Sequence, residues 1–315
     1  MKLLTGLREL VARYDLFIID QYGVLHNGTV AHAGAVDAFR RLLHDNRKRV
    51  VILSNTSRRA TGVATLLTSL GFDNGFLGAI TGGEAAWKYL QHHRTSLTKC
   101  ALMTTNMVAN VVEKDANNQS LFHGLDLEVT PIADADFLLV EGSLQICYSN
   151  KPDEIIPIDF HTSGTTNQYI EDFIAGGLAR DLPLLCTNPD LISIQHGGKT
   201  VHMGGKIAQM YEERGGRVLY FGKPLKELFD ACTELAGESI DRSRVAHIGD
   251  SMQHDIQGAA NTGIDSVFIG RGIHATEVLA ETSTQEHPEL DSQKLAAFMA
   301  RHDVTPTYAV AAFTW

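Results

Sequence analysis

Gly249–Gly272 reads GDSMQHDIQGAANTGIDSVFIGRG and follows directly on the apolar run Val245–Ile248. That run has strand length and stops at an acid, Asp250. Asp255–Asn261 then reads as a helix, and Ser266–Ile269 is a second strand-length apolar run. Runs without a polar face, joined by helices, indicate a parallel sheet covered on both sides. In such sheets ligands collect beyond the carboxyl ends of the strands, which is where Asp250 falls.

The same rhythm occurs on either side. Val218–Phe221 and the helix Leu225–Ala236 precede the quoted stretch. Near the N-terminus, Leu16–Asp20 (LFIID) is a strand that also stops at an acid. It is followed by a helix over Ala35–Leu43, with Val36, Phe39, Leu42 and Leu43 at helical spacing. Arg49–Leu53 ends at Ser54-Asn55, and a helix over Arg58–Leu70 is closed by Gly71, a good residue just past a helix end. VTPTYAVAAFTW at the C-terminus resembles a final edge strand, with an exposed aromatic end that could equally be an interface. Between them, Glu84–Val201 has an α/β pattern of its own. Its strands are expected at Ala101–Thr104, Phe137–Val140 and Leu184–Cys186, with a hairpin of Leu191–Gln195 and Thr200–Val201 around Gly197-Gly198. Cys147–Thr166 reads mostly as loop, and the doublets Gly82-Gly83, Gly197-Gly198 and Gly215-Gly216 read as turns. The fold class expected is α/β: a doubly wound parallel-sheet, Rossmann-like core (residues 1–83 and 202–315) interrupted by a smaller α/β domain (residues 84–201).

Composition narrows the function. With 315 residues, 44% hydrophobic and 20% charged, the chain has ordinary globular values. A formal charge of −10 argues against a nucleic-acid partner. No stretch approaches the roughly 20 apolar residues of a membrane span. Arg8, Glu9 and Arg13 break the apolar core that a signal peptide would need, so a cytoplasmic protein is expected. The four cysteines form no C-x-x-C pair and read as buried thiols. The histidines show no zinc-ligand spacing, and His26 reads as a residue that hydrogen-bonds its own turn.

Four polar groups stand at strand ends: Asp20, Ser54 with Asn55, Lys223, and Asp250 with Asp255. Each alone is readily a turn or cap residue. Together they have a chemical logic. The Asp20 carboxylate is a competent nucleophile towards phosphorus or a halogenated carbon. Asp20 and Asp250 could supply oxygen ligands to a hard divalent ion. Ser54 and the amide of Asn55 could donate to phosphoryl oxygens, while Lys223 offsets charge that grows in the transition state.

In this order, D-x-x-G-V-L-x-x-G at Asp20–Gly28, L-S-N at Leu53–Asn55, G-K-P at Gly222–Pro224 and G-D-S-x-x-x-D at Gly249–Asp255 resemble the four motifs of the haloacid dehalogenase (HAD) superfamily. The Gly-Ala helix and apolar strand after the fourth motif strengthen the likeness. An insert between motifs two and three is where class IIA, NagD-type members carry a C2 cap. Cys186–Asp190 (CTNPD) and Gly204-Gly205 look like that cap's return to the core. The resemblance spans Leu16 to Gly272. It implies a phosphatase of small phosphorylated metabolites with Asp20 as nucleophile, an aspartyl-phosphate intermediate, and a phosphate clamp of Ser54 and Lys223. It further implies Mg²⁺ on Asp20, the backbone carbonyl of Tyr22 and Asp250, with Asp255 supporting the metal site. Substrate contacts are expected from Asn188, Asp190 and the Gln195–Met203 hairpin, and a homodimer through the cap is implied by class IIA relatives.

One position departs from the pattern. The family's D-x-D is Asp20-Gln21-Tyr22 here, so its second acid, the general acid/base, is replaced by a phenol with a reference pKa of about 10. Four readings stay open: a phosphatase that recruits another base, with His26 and His254 at hand; a protein that binds Mg²⁺ and a phosphorylated ligand without turnover; a phosphotransferase to an acceptor other than water; and a 2-haloacid dehalogenase, which shares D-x-Y but uses no Mg²⁺ and lacks the acidic fourth motif.

Overall fold

The computed structural model describes residues 1–112, 120–195, 198–237, 240–284 and 286–315. The first of its two large sheets is wholly parallel. Its order is Lys2–Leu3, Tyr308–Val310, Asp265–Ile269, Val245–Gly249, Leu16–Ile19, Arg49–Ser54, Gly78–Thr81. Alternation along a strand sends neighbouring side chains to opposite faces. Phe17 and Ile19 therefore join one buried cluster, with Phe39, Val50 and Ile52. Leu16 and Ile18 join another, with Val51, Leu228 and Phe229. Helices Ala35–Arg40 and Lys226–Leu235 lie on these two faces. The doubly wound α/β core is thus present. The helix expected from Arg58 begins only at Thr61 and ends at Ser69, with Gly71 at φ 88° just past its end.

The second sheet runs Val218–Tyr220, Leu184–Cys186, Phe137–Val140, Lys99–Thr104, Gln145–Cys147, Ile156–Pro157, with Glu128–Val129 beside Lys99 and Cys100. The four strands from Lys99–Thr104 to Val218–Tyr220 are joined in parallel, and Gln145–Cys147 turns antiparallel. Both faces are covered by buried apolar side chains. The expected hairpin pairs Ile192–Ile194 with Thr200–His202; residues 196–197 at its tip lie outside those described.

Four expectations need correction. Val218–Tyr220 belongs to the second sheet, pairing with Leu184–Cys186, so that sheet extends past the expected boundary at residue 201. Gly204-Gly205 do not return the chain to the core. They open helix Gly204–Glu213, and a Cβ on Gly205 would lie 2.3 Å from the Pro189 carbonyl. Gly82-Gly83 likewise start helix Gly82–His92. A Cβ on Gly82 would come within 2.3 Å of the Thr187 oxygen and 2.4 Å of the Phe221 oxygen. The outgoing and returning connections between the sheets therefore press together at this glycine. Finally, Tyr308–Val310 is not an edge strand, because Lys2–Leu3 pairs outside it, and Phe313 near the C-terminus is buried. Among the described residues, no helix is long and apolar enough to cross a membrane.

Candidate active site

Strands Leu16–Ile19 and Val245–Gly249 lie side by side in parallel register, and the Asp20 amide donates to the Ile248 carbonyl at 2.9 Å. Asp20 and Asp250 therefore leave the sheet at neighbouring strand ends. Lys223 arrives by a route the sequence did not suggest: it ends no core strand but sits in the connection returning from the second sheet. Asn55 fixes it there by accepting the Lys223 amide on Oδ1 at 2.7 Å. The Lys223 ammonium then lies 2.8 Å from Asp20 Oδ1 and 2.7 Å from Asp255 Oδ1. All four side chains are buried, and one carboxylate oxygen from each of Asp20, Asp250 and Asp255 lies within 4.8 Å of the others.

The three acids differ in what surrounds them. Asp255 Oδ1 also meets His247 Nε2 at 2.8 Å, and its Oδ2 accepts the Ser251 amide at 3.0 Å. Burial alone would raise its pKa, but Lys223 and His247 outweigh burial and hold it well below the usual carboxylate range. Asp250 accepts the Ile273 amide on Oδ2 at 2.8 Å. Burial and the Asp20 charge push it well upward. Asp20 is pushed up to about 7, by burial first, with Lys223 opposing. Burial disfavours the Lys223 cation, yet Asp20 and Asp255 keep its pKa well above the ordinary value.

Two buried like charges, both driven towards protonation, form a place where a divalent cation on oxygen ligands fits. The backbone is shaped for this acid: a Cβ on Gly23 (φ +85°) or Gly272 would lie 2.1 or 1.9 Å from Asp250 Oδ2. Asp20, Asp250 and the carbonyl of residue 22 remain as the candidate ligands. Asp255 has both oxygens engaged and instead anchors Lys223.

The other expected residues divide. Ser54 is buried at the same strand ends, and its Oγ accepts the Thr56 amide at 3.3 Å, which leaves its proton to donate. The Asn55 side chain is committed at both ends, to Lys223 and, through Nδ2, to Asp190 Oδ1 at 2.7 Å. Tyr22 gives its hydroxyl to the Ile194 carbonyl at 3.0 Å, which ties the loop after Asp20 to the second-sheet hairpin. Burial raises the Tyr22 pKa, so the phenol is further from being a base than the sequence implied. Asn188 closes a turn by accepting the Asp190 amide at 2.9 Å. His26 accepts the Gly28 amide on Nδ1 at 2.9 Å, and burial lowers its pKa to about 4, as suits a neutral loop residue. His254 places Nδ1 3.2 Å from Asp190 Oδ1, while its Nε2 has no partner among the described residues.

These groups line one cleft of about 1060 Å³, walled by the core loops, the Ile192–Ile194 hairpin and residues drawn from 271–284 with Glu286 and Pro288. Asn188, Asp190 and His254 lie on its wall. Sequence reasoning missed His247 and Arg271. His247 sits inside an apolar strand and left no motif, but Arg271 carries the signal used for the others, a polar residue just beyond a parallel strand.

Two family profiles match the chain: haloacid dehalogenase-like hydrolase over residues 17–116 and HAD-hydrolase-like over residues 220–296, together more than half of its length. The chain belongs to the haloacid dehalogenase-like hydrolases. Its second sheet stands between motifs two and three, as in class IIA members of that family. Among solved structures it resembles a haloacid dehalogenase-like hydrolase from Brucella suis 1330. The TM-score is 0.73 at 24% identity, over 99% of this chain and 100% of the other. It also resembles a p-nitrophenyl phosphatase from Archaeoglobus fulgidus, with a TM-score of 0.64 at 19% identity over 95% and 97%. In sequence it is similar to a 4-nitrophenylphosphatase of Schizosaccharomyces pombe, 22% identical over 92% of this chain and 94% of that one. It is also similar to an acid sugar phosphatase of Staphylococcus saprophyticus, 20% identical over 86% and 92%. For this hydrolase the likenesses run nearly end to end, so both sheets are part of the shared architecture.

Proposed function

We propose that the protein is a Mg²⁺-dependent phosphatase of a small phosphorylated metabolite, working through an aspartyl phosphate on Asp20. The observation that carries this is the buried Lys223 ammonium bridging Asp20 and Asp255 beside Asp250. Relatives named as phosphatases support the same reading. Asp20, Asp250 and the carbonyl of residue 22 would hold the Mg²⁺, which when bound offsets carboxylate and phosphoryl charge.

Asp20 Oδ1 is held by Lys223, which leaves Oδ2 to attack phosphorus. The Asp20 O–P bond forms as the P–O bond to the leaving alcohol breaks. Ser54 and Lys223 steady the phosphoryl oxygens. The proton for the departing oxygen is assigned to His254, whose Nδ1 is turned to Asp190 and whose Nε2 is free. In the second half, His254 takes a proton from a water whose oxygen attacks phosphorus, breaking the Asp20 O–P bond and releasing inorganic phosphate. Tyr22 serves as a latch between loop and hairpin. A dehalogenase reading is disfavoured by Asp250, since dehalogenases that share D-x-Y lack an acid there.

His254→Asn is expected to slow hydrolysis of alkyl phosphates about 10²-fold. Loss on p-nitrophenyl phosphate, whose leaving group needs little protonation, should be much smaller. Equal losses on both substrates would remove His254 from proton transfer. Absence of Mg²⁺-dependent turnover on any phosphomonoester, with Mg²⁺ and phosphate still bound, would favour the reading of a binding protein, which Tyr22 motivates.

A further inference from the structure

We propose that Arg271 and His32 form a second anion subsite in the cleft, so that the substrate is a short phosphomonoester carrying another negative group. This rests on the phosphatase reading and names its substrate class.

Both side chains line the cleft that holds Asp20, and each has a buried nitrogen without a hydrogen-bond partner: Nη1 of Arg271 and Nε2 of His32. No carboxylate or carbonyl pairs the Arg271 guanidinium among the described residues. Of the acids lining the cleft, Asp20 and Asp255 are engaged with Lys223, Asp250 with the Ile273 amide and Asp190 with Asn55, and Glu286 makes no ion pair with Arg271. A half-buried cation without a counter-charge is costly to keep, because burial removes hydration and nothing replaces it. Burial alone lowers the Arg271 pKa, and the nearby guanidinium adds to the burial that takes His32 down to about 4. A neutral imidazole beside a guanidinium offers hydrogen-bond donors without a second like charge. An anionic group arriving with the substrate would satisfy both, and Arg suits planar carboxylate and phosphate geometry.

Position sets the substrate's length. Arg271 follows strand Asp265–Ile269, the parallel neighbour of Val245–Gly249, whose end carries Asp250. Adjacent strands are about 4.8 Å apart, and a Cβ on the next residue, Gly272, would touch Asp250 Oδ2. The Arg271 backbone is pinned by its amide, which donates to the Ala311 carbonyl at 2.8 Å. The subsite therefore borders the phosphate site, within reach of a second anion a few carbons away.

The test compares three phosphomonoesters on one two-carbon frame: phosphoglycolate, ethylene glycol bisphosphate and ethylene glycol monophosphate. Wild type should favour one of the two with a second anion by about tenfold or more in kcat/KM, mainly through KM; which one wins identifies carboxylate or phosphate. Arg271→Met should cut that preference about tenfold or more, Arg271→Lys should keep part of it, and His32→Gln should reduce it less. Thermal unfolding reports whether each variant folds, and the wild-type preference needs no variant. A wild-type ratio near one, or a ratio unchanged in folded Arg271→Met, overturns the subsite. If no ester is hydrolysed, the phosphatase reading fails separately. Calorimetric binding of phosphoglycolate against ethylene glycol monophosphate, to wild type and Arg271→Met, then decides the subsite by the same ratio.

Discussion

Asp20 and Asp255 touch the same ammonium at nearly the same distance, 2.8 and 2.7 Å, yet their acidities move in opposite directions. The difference lies in what else each one meets. Asp255 collects Lys223, His247 and the Ser251 amide, so its charge is stabilised and its lone pairs are used. Asp20 shares Lys223 and faces Asp250, so it keeps an oxygen for chemistry and carries an uncompensated charge. One carboxylate is an anchor and the other a reagent, and a single lysine enforces both roles.

Removing that lysine should break the comparison most severely. Lys223→Met leaves buried acids without their counter-charge, which is expected to cost about 3–5 kcal/mol of stability. Phosphoryl transfer should fall about 10²–10³-fold. Full activity in this variant, measured with p-nitrophenyl phosphate, would show that the ammonium serves neither acid. Next in size, Asp255→Asn should weaken activity or Mg²⁺ affinity about 10–100-fold, the usual effect of losing a supporting partner at a metal site. Steady-state kinetics across a Mg²⁺ titration would detect this, and an unaltered profile would deny Asp255 its anchoring role.

The smallest effect sharpens the contrast in sign. A carboxyl with a raised folded pKa binds more protons when folded, so without Mg²⁺ Asp20 should withdraw stability as pH rises from about 4 to about 7. Asp255, with a lowered pKa, should contribute stability above about 4 and lose it on acidification. In metal-free protein at pH 8, Asp20→Asn should raise the unfolding midpoint and Asp255→Asn should lower it, by about 2–4 °C per kcal/mol. Scanning calorimetry with and without Mg²⁺ reads both, and shifts of the same sign would refute the division of roles.

Much of this was legible because strand ends are punctuated by chemistry. LFIID, VVILS and VAHIGD each leave an apolar strand on the polar residue that meets the others. The parallel sheet then brings them together with no further information needed. Legibility failed where the signal is tertiary. Val218–Tyr220 has the pattern of any buried parallel strand, and only pairing with Leu184–Cys186 decides which sheet takes it. Gly82 reads as a turn residue and Gly205 as part of a return to the core, because two chain segments pressing on one Cα leave no mark in local sequence. Tyr22 was readable as a missing acid, but its bond to Ile194 depends on a hairpin far away in sequence.

The most direct test is to trap the phosphoryl group on its carrier. Protein mixed with substrate and Mg²⁺, quenched in acid and digested, should show one phosphoryl mass increment on the peptide containing Asp20. Asp20→Asn should show none. Rapid hydrolysis with the label on another residue, or with none on this peptide at any quench time, would contradict the account.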